Sequence, residues 1–212
     1  MKWIALAAAA LACSCITAKA DDAVVSFARI FTDVCMDKFG EPDEIENWAT
    51  SQNLLPITNA KALSVFAGKP NKDGKMISVA GGGVPGSGKA WAVPDAAGRF
   101  VLATRLDPES CVLWAQKAES ADVETAFAKL IELVSRPGVD VKLAEDKKVD
   151  IPIGQVHIRI YRIWSGSPLN SFAMVLAAVN RSGGPFQAML ETQRLVTRDD
   201  PINPLVPLEP PG

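Results

Sequence analysis

Residues 24–35 read VVSFARIFTDVC, and their spacing predicts the element on which the fold is built. Apolar side chains recur at steps of three and four, which places them on one face of a helix. The Asp pair at 21–22 can cap a helix that starts near Ala23, and Gly40 would end it. Cys35 therefore lies on the buried face of this helix. The members of that face are Val24, Phe27, Ala28, Phe31, Val34 and Cys35.

The segment before this helix has the features of a secretory signal peptide. Residues 1–20 read MKWIALAAAALACSCITAKA, with a positive start, an apolar middle and small residues at the end. The apolar run of about nine residues is too short to cross a hydrocarbon core of roughly 30 Å as a helix. We expect residues 1–20 to be a signal peptide that is removed. The alternatives are an N-terminal anchor, a buried helix, and lipidation at Cys13 or Cys15, although the residues before these cysteines fit a lipidation motif poorly.

The composition of the mature chain argues against some classes of function. Removal of residues 1–20 takes away Lys2 and Lys19 and no acidic residue, so 20 basic residues face 24 acidic ones and the net charge is −4. Nucleic-acid-binding proteins show a basic excess instead, so we expect no nucleic-acid partner. We also expect no transmembrane segment after the leader, because no later apolar stretch is long enough. The remaining length of about 190 residues suits one domain with a substantial core.

Two cysteines, Cys35 and Cys111, remain after the leader is removed. Export would place them in an oxidising compartment, where such a pair is expected to form a disulfide. Alternate residues of the run that contains Cys111 share one face, so a bridge requires the first helix to lie across that strand. The alternative is two separate buried thiols that pack as small hydrophobic side chains.

The rest of the chain predicts a single α+β domain over residues 21–197. A second helix begins at Pro42, and a third is capped by Ser120 and stopped by Pro137 and Gly138. We expect N-terminal helices packed on an antiparallel sheet of about seven strands, with the third helix inserted between the first four strands and the last three. The last predicted strand also suits a helix. The predicted strands are residues 75–80, 89–93, 99–106, 111–117, 155–164, 169–180 and 186–196.

Three stretches are predicted to lie outside this framework of long helices and strands. Residues 59–66 suit a short helical piece. Residues 139–150 are charged and indicate irregular structure, with a short edge strand at Val141 and Leu143 as the most regular interpretation. The tail, residues 198–212, is rich in proline and is expected to be disordered.

Residues 83–89, GVPGSGK, have the spacing of a phosphate-binding loop. A loop of that kind continues with Ser or Thr, whose hydroxyl holds magnesium, and leads into a helix. Here Ala90 follows, and residues 91–94 indicate a strand and a turn. We therefore interpret this Gly-rich segment as a flexible connection between strands, with a ligand-covering flap as the functional alternative, and we expect no nucleotide cofactor.

His157, Arg159 and Tyr161 alternate with apolar residues and therefore share one face of a predicted strand. This face is a candidate surface for an anionic ligand, and the alternative is the solvated side of an antiparallel sheet. A hydrolase that uses His157, the only histidine, or a pair of carboxylates is a further hypothesis. With one histidine and a bridged cysteine pair, the sequence predicts no metal site and no cofactor.

Four pieces of the chain carry a resemblance to other proteins. They are residues 27–35 (FARIFTDVC), 98–102 (GRFVL), 108–114 (PESCVLW) and the last predicted hairpin. Their layout resembles a loose group of small exported bacterial proteins of unassigned function, and it spans most of the mature chain. The resemblance implies an envelope or secreted location and a helix-to-strand disulfide. It implies no activity.

These observations lead to one function hypothesis and two alternatives. We expect an exported protein, periplasmic or extracellular, that is not an enzyme and that binds an envelope protein or a small ligand. The alternatives are a small secreted hydrolase and a lipid-anchored envelope component.

Overall fold

The computed structural model describes residues 18–58, 69–70, 76–77, 88–94, 100–106, 109–151, 154–180 and 187–202. These residues form three α-helices. A π-helical turn, Phe31–Met36, continues the first helix without a break. The helices are α1 (Ala18–Ile30), α2 (Pro42–Ser51) and α3 (Ser120–Val134).

Eight strands of the described residues form one antiparallel sheet, and two short strands pair separately. The strands of the sheet are β1 (Leu55–Pro56), β4 (Gly88–Val93), β5 (Phe100–Leu106), β6 (Glu109–Ala115), β7 (Asp140–Ile151), β8 (Gly154–Trp164), β9 (Phe172–Val179) and β10 (Ala188–Arg194). The separate pair is β2 (Lys69–Pro70) with β3 (Met76–Ile77). Along the sheet the order is β1-β4-β5-β6-β10-β9-β8-β7.

The predicted α+β class is confirmed, and the strand count differs by one. Of the expected strand at residues 75–80, the structure describes Met76–Ile77, which form β3 of the separate pair, and β1 and β7 join the main sheet. The ambiguous run at 186–196 forms β10, which pairs with both β6 and β9, so the strand interpretation is confirmed. The predicted helical piece at 59–66 lies outside the described residues.

The first helix and its π-helical continuation bury the predicted apolar face. Phe27, Phe31 and Cys35 have no exposed surface, and the rings of Phe27 and Phe100 lie 5.5 Å apart. Gly40, at a φ of +84°, adopts the left-handed conformation that ends helices. The helix begins at Ala18 rather than near Ala23, which fits the strong helix propensity of alanine and lysine.

The two faces of the sheet carry separate apolar clusters. The three helices pack on one face, which we call the helix-covered face, and its cluster includes the core residues of α1, α3, β6 and β10. Val123, Phe127, Leu130 and Val134 of α3 are buried there. The predicted cap, Ser120, is instead the first helical residue, and the residue at the N-cap, Glu119, makes no side-chain cap hydrogen bond. On the opposite face, a second cluster is built around Val112, Trp114, Val175 and Met189.

The short edge strand predicted at Val141 and Leu143 is present, and it extends over the 12 residues of β7. The prediction that the rest of residues 139–150 is irregular is wrong, because the side chains of an edge strand remain largely in water and the apolar alternation that signals a strand is missing. A β-bulge between Leu143 and Glu145 shifts the register between β7 and β8. Lysines and a bulge are common devices that keep an edge strand from pairing with another chain.

The chain after β10 turns back onto the sheet. Arg162 donates hydrogen bonds to the carbonyl oxygens of Arg198 and Asp200, at 3.0 and 2.6 Å. Gln193 donates to the carbonyl of Pro201, and Ile202 packs on the second cluster. Residues 198–202 are therefore held on the sheet, where the sequence predicts a disordered tail. The rest of that prediction, residues 203–212, lies outside the described part of the chain.

Within the described ranges, each helix is too short or too polar to cross a lipid bilayer.

Candidate functional site

The predicted disulfide is present and joins the π-helical turn to β6. The Cα atoms of Cys35 and Cys111 lie 5.2 Å apart, within the usual range for a bridge, and both residues are buried. Thr192 of β10 donates a hydrogen bond of 3.1 Å to the carbonyl oxygen of Cys35. The bridge therefore fixes the first helical segment across β6 and β10, as the sequence predicts.

The three candidate residues on β8 share one face, and that face is turned towards α3. The ring of Tyr161 packs on the ring of Phe127 at a centroid distance of 5.9 Å. His157 is 12% exposed in its side chain and contacts Glu124 of α3. The face is therefore a contact between helix and sheet rather than a fully solvated surface.

His157 lies between two carboxylates. Its Nδ1 is 3.0 Å from Oε1 of Glu124, and its Nε2 is 2.7 Å from Oδ1 of Asp146 on β7. Arg159 donates from Nε to the other oxygen of Asp146 at 3.2 Å. The hydrogen bond from His157, together with the charges of Arg159 and His157, lowers the pKa of Asp146 below its ordinary value. We call these four residues the His157 cluster.

The His157 cluster ties α3 to the last two strands of the sheet. In the part of the chain that the structure describes, both ring nitrogens of His157 face carboxylates, and neither faces a serine hydroxyl. A triad base needs one nitrogen free for the nucleophile. The geometry therefore favours a structural role for His157, and the hydrolase hypothesis gains no support from it. Among the described residues, no group of His, Cys, Asp and Glu is arranged to hold a metal ion.

The end of the Gly-rich segment leads into a strand. Gly88 and Lys89 begin β4, and residues 83–87 lie outside the described residues. A Cβ at Gly88 would lie 2.3 Å from the carbonyl oxygen of Thr104, so close packing with β5 requires glycine there. Lys89 forms an ion pair with Glu46 of α2. These contacts are those of a strand packed beneath a helix.

A buried ion pair lies on the opposite face of the sheet. Arg105 of β5 and Glu191 of β10 approach to 3.7 Å, with side chains that are 4% and 0% exposed. Ser110 and Gln193, also buried, lie in the same cross-strand row as Arg105. Sequence reasoning missed this cluster because its residues come from three different strands and a polar side chain in the sequence does not reveal its cross-strand neighbours. The cluster is part of the packed interior.

Sequence reasoning also missed a cleft at the far end of the sheet. The cleft has a volume of about 300 Å³ and lies between the bulge of β7, the end of β8 and the turn that follows β10. We call it the Trp164 cleft. Its lining residues are Asp140, Lys142, Leu143, Ala144, Arg162, Trp164, Arg198 and Asp199.

One wall of the Trp164 cleft is the turn at residues 196–200. Asp200 accepts hydrogen bonds from the backbone amides of Val196 and Thr197 and from the Thr197 hydroxyl. These hydrogen bonds lower the pKa of Asp200, and the largest contribution comes from the Thr197 hydroxyl. The charge of Arg162 lowers the pKa further. The turn is therefore tightly organised around an ionised carboxylate, and Arg162 anchors it to β8.

In the Trp164 cleft, one cation has a carboxylate partner, whereas two others lie beside each other. Arg198 pairs with Asp140 at 3.3 Å, and both side chains are more than half exposed. Lys142 lies directly opposite Arg162 in the β7–β8 ladder, so two cations stand side by side. These residues come from three separate segments, 140–144, 162–164 and 198–199. In the sequence, the charged run at residues 139–150 was the only signal of this cleft, and it did not show that the three segments lie together in the fold.

Comparison of the chain with protein-family models, with curated proteins and with solved structures finds no match in any of the three.

Proposed function

We propose that this protein is an exported, non-enzymatic binding protein, located in the periplasm or outside the cell. The observation that carries the proposal is the buried disulfide between Cys35 and Cys111. Structural disulfides persist in oxidising compartments and are rare in the cytosol. The leader at residues 1–20 has the pattern of a secretory signal peptide, which supports the same compartment.

A binding role is supported by the way in which the described polar groups are arranged. The His157 cluster joins α3 to the sheet, and its histidine has no nitrogen directed at a nucleophile. The Trp164 cleft, in contrast, combines an aromatic side chain with several charged side chains on a rigid sheet. Clefts that bind small molecules usually combine apolar surface with a few polar groups in this way. The ligand or partner would therefore meet the protein at the β7–β8 end of the sheet.

The test is the location and mass of the mature protein. The full chain is expressed in a bacterial host, the periplasm is separated from the cytosol, and the intact mass is measured with and without reductant. The proposal predicts a periplasmic species that begins at Asp21 and gains two hydrogen atoms on reduction. A control variant with Ala18→Asp and Ala20→Asp should retain the leader, because the peptidase needs small residues at these positions.

Three results would contradict the proposal in different ways. A cytosolic protein that keeps residues 1–20 and carries free thiols would remove the export part. A mature N-terminus at Cys13 or Cys15 with an added lipid mass would favour the lipid-anchored alternative. A hydrolase would instead be revealed by turnover of ester or glycoside substrates that is lost on His157→Gln.

A further inference from the structure

We infer that the Trp164 cleft binds a small organic anion that carries a ring, such as an acidic sugar or an aromatic carboxylate. This inference rests on the proposed function and adds the chemistry of the ligand to it. Three features of the cleft carry the inference: a pair of adjacent cations, an aromatic side chain at a suitable spacing, and a wall that is already organised.

The cations point to an anionic group. Lys142 and Arg162 are direct neighbours across the β7–β8 ladder, where like charges destabilise a sheet. Arg162 is held in place by its hydrogen bonds to the carbonyl oxygens of Arg198 and Asp200. Among the described residues, no carboxylate forms an ion pair with the exposed Lys142. An anion bound between the two cations would relieve their repulsion.

Trp164 indicates that the ligand carries a ring. Residues 162 and 164 lie on the same face of β8, since side chains alternate along a strand. Two residues of a strand span about 7 Å, which is close to the length of a six-membered ring with its carboxylate. A ring that packs on the partly exposed Trp164 would therefore place its charge near Lys142 and Arg162. Indole side chains pack well on both aromatic and sugar rings, because they combine a large apolar face with one polar group.

The acidic residues of the cleft limit the charge of the ligand. Asp140 and Asp199 line the same space, and Asp140 already pairs with Arg198. A multiply charged anion such as phosphate would be repelled by these carboxylates, whereas a single carboxylate can sit at the Lys142 side. The bulge at Ala144 opens this part of the strand, in keeping with the frequent occurrence of bulges beside binding sites.

The wall of the cleft is formed before any ligand arrives. Asp200 fixes the turn through the amides of Val196 and Thr197, and Arg162 fixes the turn to β8. A preorganised wall lowers the entropic cost of binding, because fewer groups must be ordered when the ligand binds. The cleft therefore needs no rearrangement of the sheet in order to accept a ligand.

The test separates the ring from the charge by isothermal titration calorimetry on the mature oxidised protein. Four probes are used: D-glucuronate and benzoate carry both features, D-glucose carries only the ring, and inorganic phosphate carries only the charge. The inference predicts that glucuronate or benzoate binds at least about tenfold more tightly than glucose and phosphate, and that salt weakens this binding. The tighter of the two identifies the source as an acidic sugar or an aromatic acid.

Variants place the binding in the cleft. Lys142→Glu should weaken the preferred probe at least about tenfold, because it converts attraction into repulsion. Lys117→Glu makes the same change of charge on the bend after β6, outside the cleft, and should leave the affinity within about twofold. The indole N–H resonance of Trp164, assigned by its loss in Trp164→Phe, should shift when the probe is added.

Several outcomes would overturn the inference. They are the absence of binding by both ring-bearing anions, equal binding of glucose or phosphate, and equal weakening by Lys142→Glu and Lys117→Glu. Each would leave the export proposal intact, because that proposal is tested by location and mass. A cytosolic protein with free thiols that nevertheless binds glucuronate would contradict the export proposal and leave the inference about the ligand intact.

Discussion

In the middle of the sheet, at β6, the helical layer is fixed by a covalent bond and apolar side chains, whereas at the β7–β8 end charged contacts are added to the apolar packing. The first region contains the Cys35–Cys111 bridge and the packed rings of Phe27 and Phe100. In the second region, His157 connects Glu124 of α3 to Asp146 of β7. We call the two regions the stapled end and the charged end.

The difference separates stability from recognition within one sheet. Burial of apolar side chains and a disulfide are insensitive to salt and to moderate changes of pH, so the stapled end provides a constant platform. Charged contacts weaken with salt and with protonation. The charged end also holds the Trp164 cleft, which is lined by the exposed Lys142. Four perturbations should separate the two ends, and they are given from the largest expected effect to the smallest.

Removal of the staple should have the largest effect. The bridge closes a loop with a sequence separation of 76 residues. A loop of this size contributes up to about 4.5 kcal/mol to the free energy of unfolding through chain entropy. The double variant Cys35→Ala with Cys111→Ala should lose about 2–4.5 kcal/mol in urea unfolding at neutral pH. The reduced wild-type protein serves as the control and should match the variant. A loss below about 1 kcal/mol would show that the bridge does not hold the stapled end.

Removal of the central side chain of the charged end should have an intermediate effect. His157→Ala leaves Glu124 and Asp146 without the ring that connects them, and should lower the free energy of unfolding by about 1–2 kcal/mol. The loss of stability should be smaller in about 1 M salt, because ions screen the contacts between His157 and the two carboxylates. Phe127→Leu, which alters the neighbouring apolar contact with Tyr161, should cost the same at both salt concentrations. A salt-independent effect of His157→Ala would assign this contact to packing instead.

Acid should loosen the charged end before the stapled end. The pKa values of Asp146 and Asp200 are lowered in the folded protein, so these carboxylates bind protons more readily in the unfolded chain. Their contribution to stability is therefore present above the ordinary aspartate pKa of 3.8 and is lost as the pH falls through the lower folded values. Hydrogen exchange should show faster opening of residues 196–200 than of β6 in this range. Asp200→Asn should remove most of this pH dependence at the turn, and uniform opening would contradict the distinction.

The smallest predicted effect is a gain in stability at the charged end. Lys142→Glu replaces the repulsion between Lys142 and Arg162 with attraction, and should raise the free energy of unfolding by about 0.3 kcal/mol. The same variant is expected to lose ligand binding. Lys142→Met, which removes the charge alone, should give a smaller gain. A clear loss of stability in both variants would mean that Lys142 serves the fold and not a ligand.

The stapled end could be predicted from the sequence because its signals are local. The spacing from Val24 to Cys35 indicates a helix with one buried face, and alternation around Cys111 indicates a strand. Two cysteines after the predicted signal peptide leave one possible intramolecular pair. The same reasoning gave β10 from the turn that precedes it, although its composition also suits a helix.

The charged end could not be predicted in the same way. An edge strand such as β7 carries polar side chains on exposed positions, so it has no apolar period to detect. Charges do not reveal their partners, and the contact between His157 and Glu124 spans two elements. The Trp164 cleft depends on a turn at residues 196–200 whose order comes from Asp200 and Arg162 together, and the proline-rich composition indicated disorder there.

The central claim is that oxidation on export joins the first helical segment to β6. The most direct measurement is a digest of the unreduced protein from the periplasm, after alkylation of free thiols, with the linked peptides identified by mass spectrometry. The account predicts one linked pair of peptides, one with Cys35 and the other with Cys111, which separates on reduction. Recovery of both cysteines as alkylated, unlinked peptides from folded protein would contradict it.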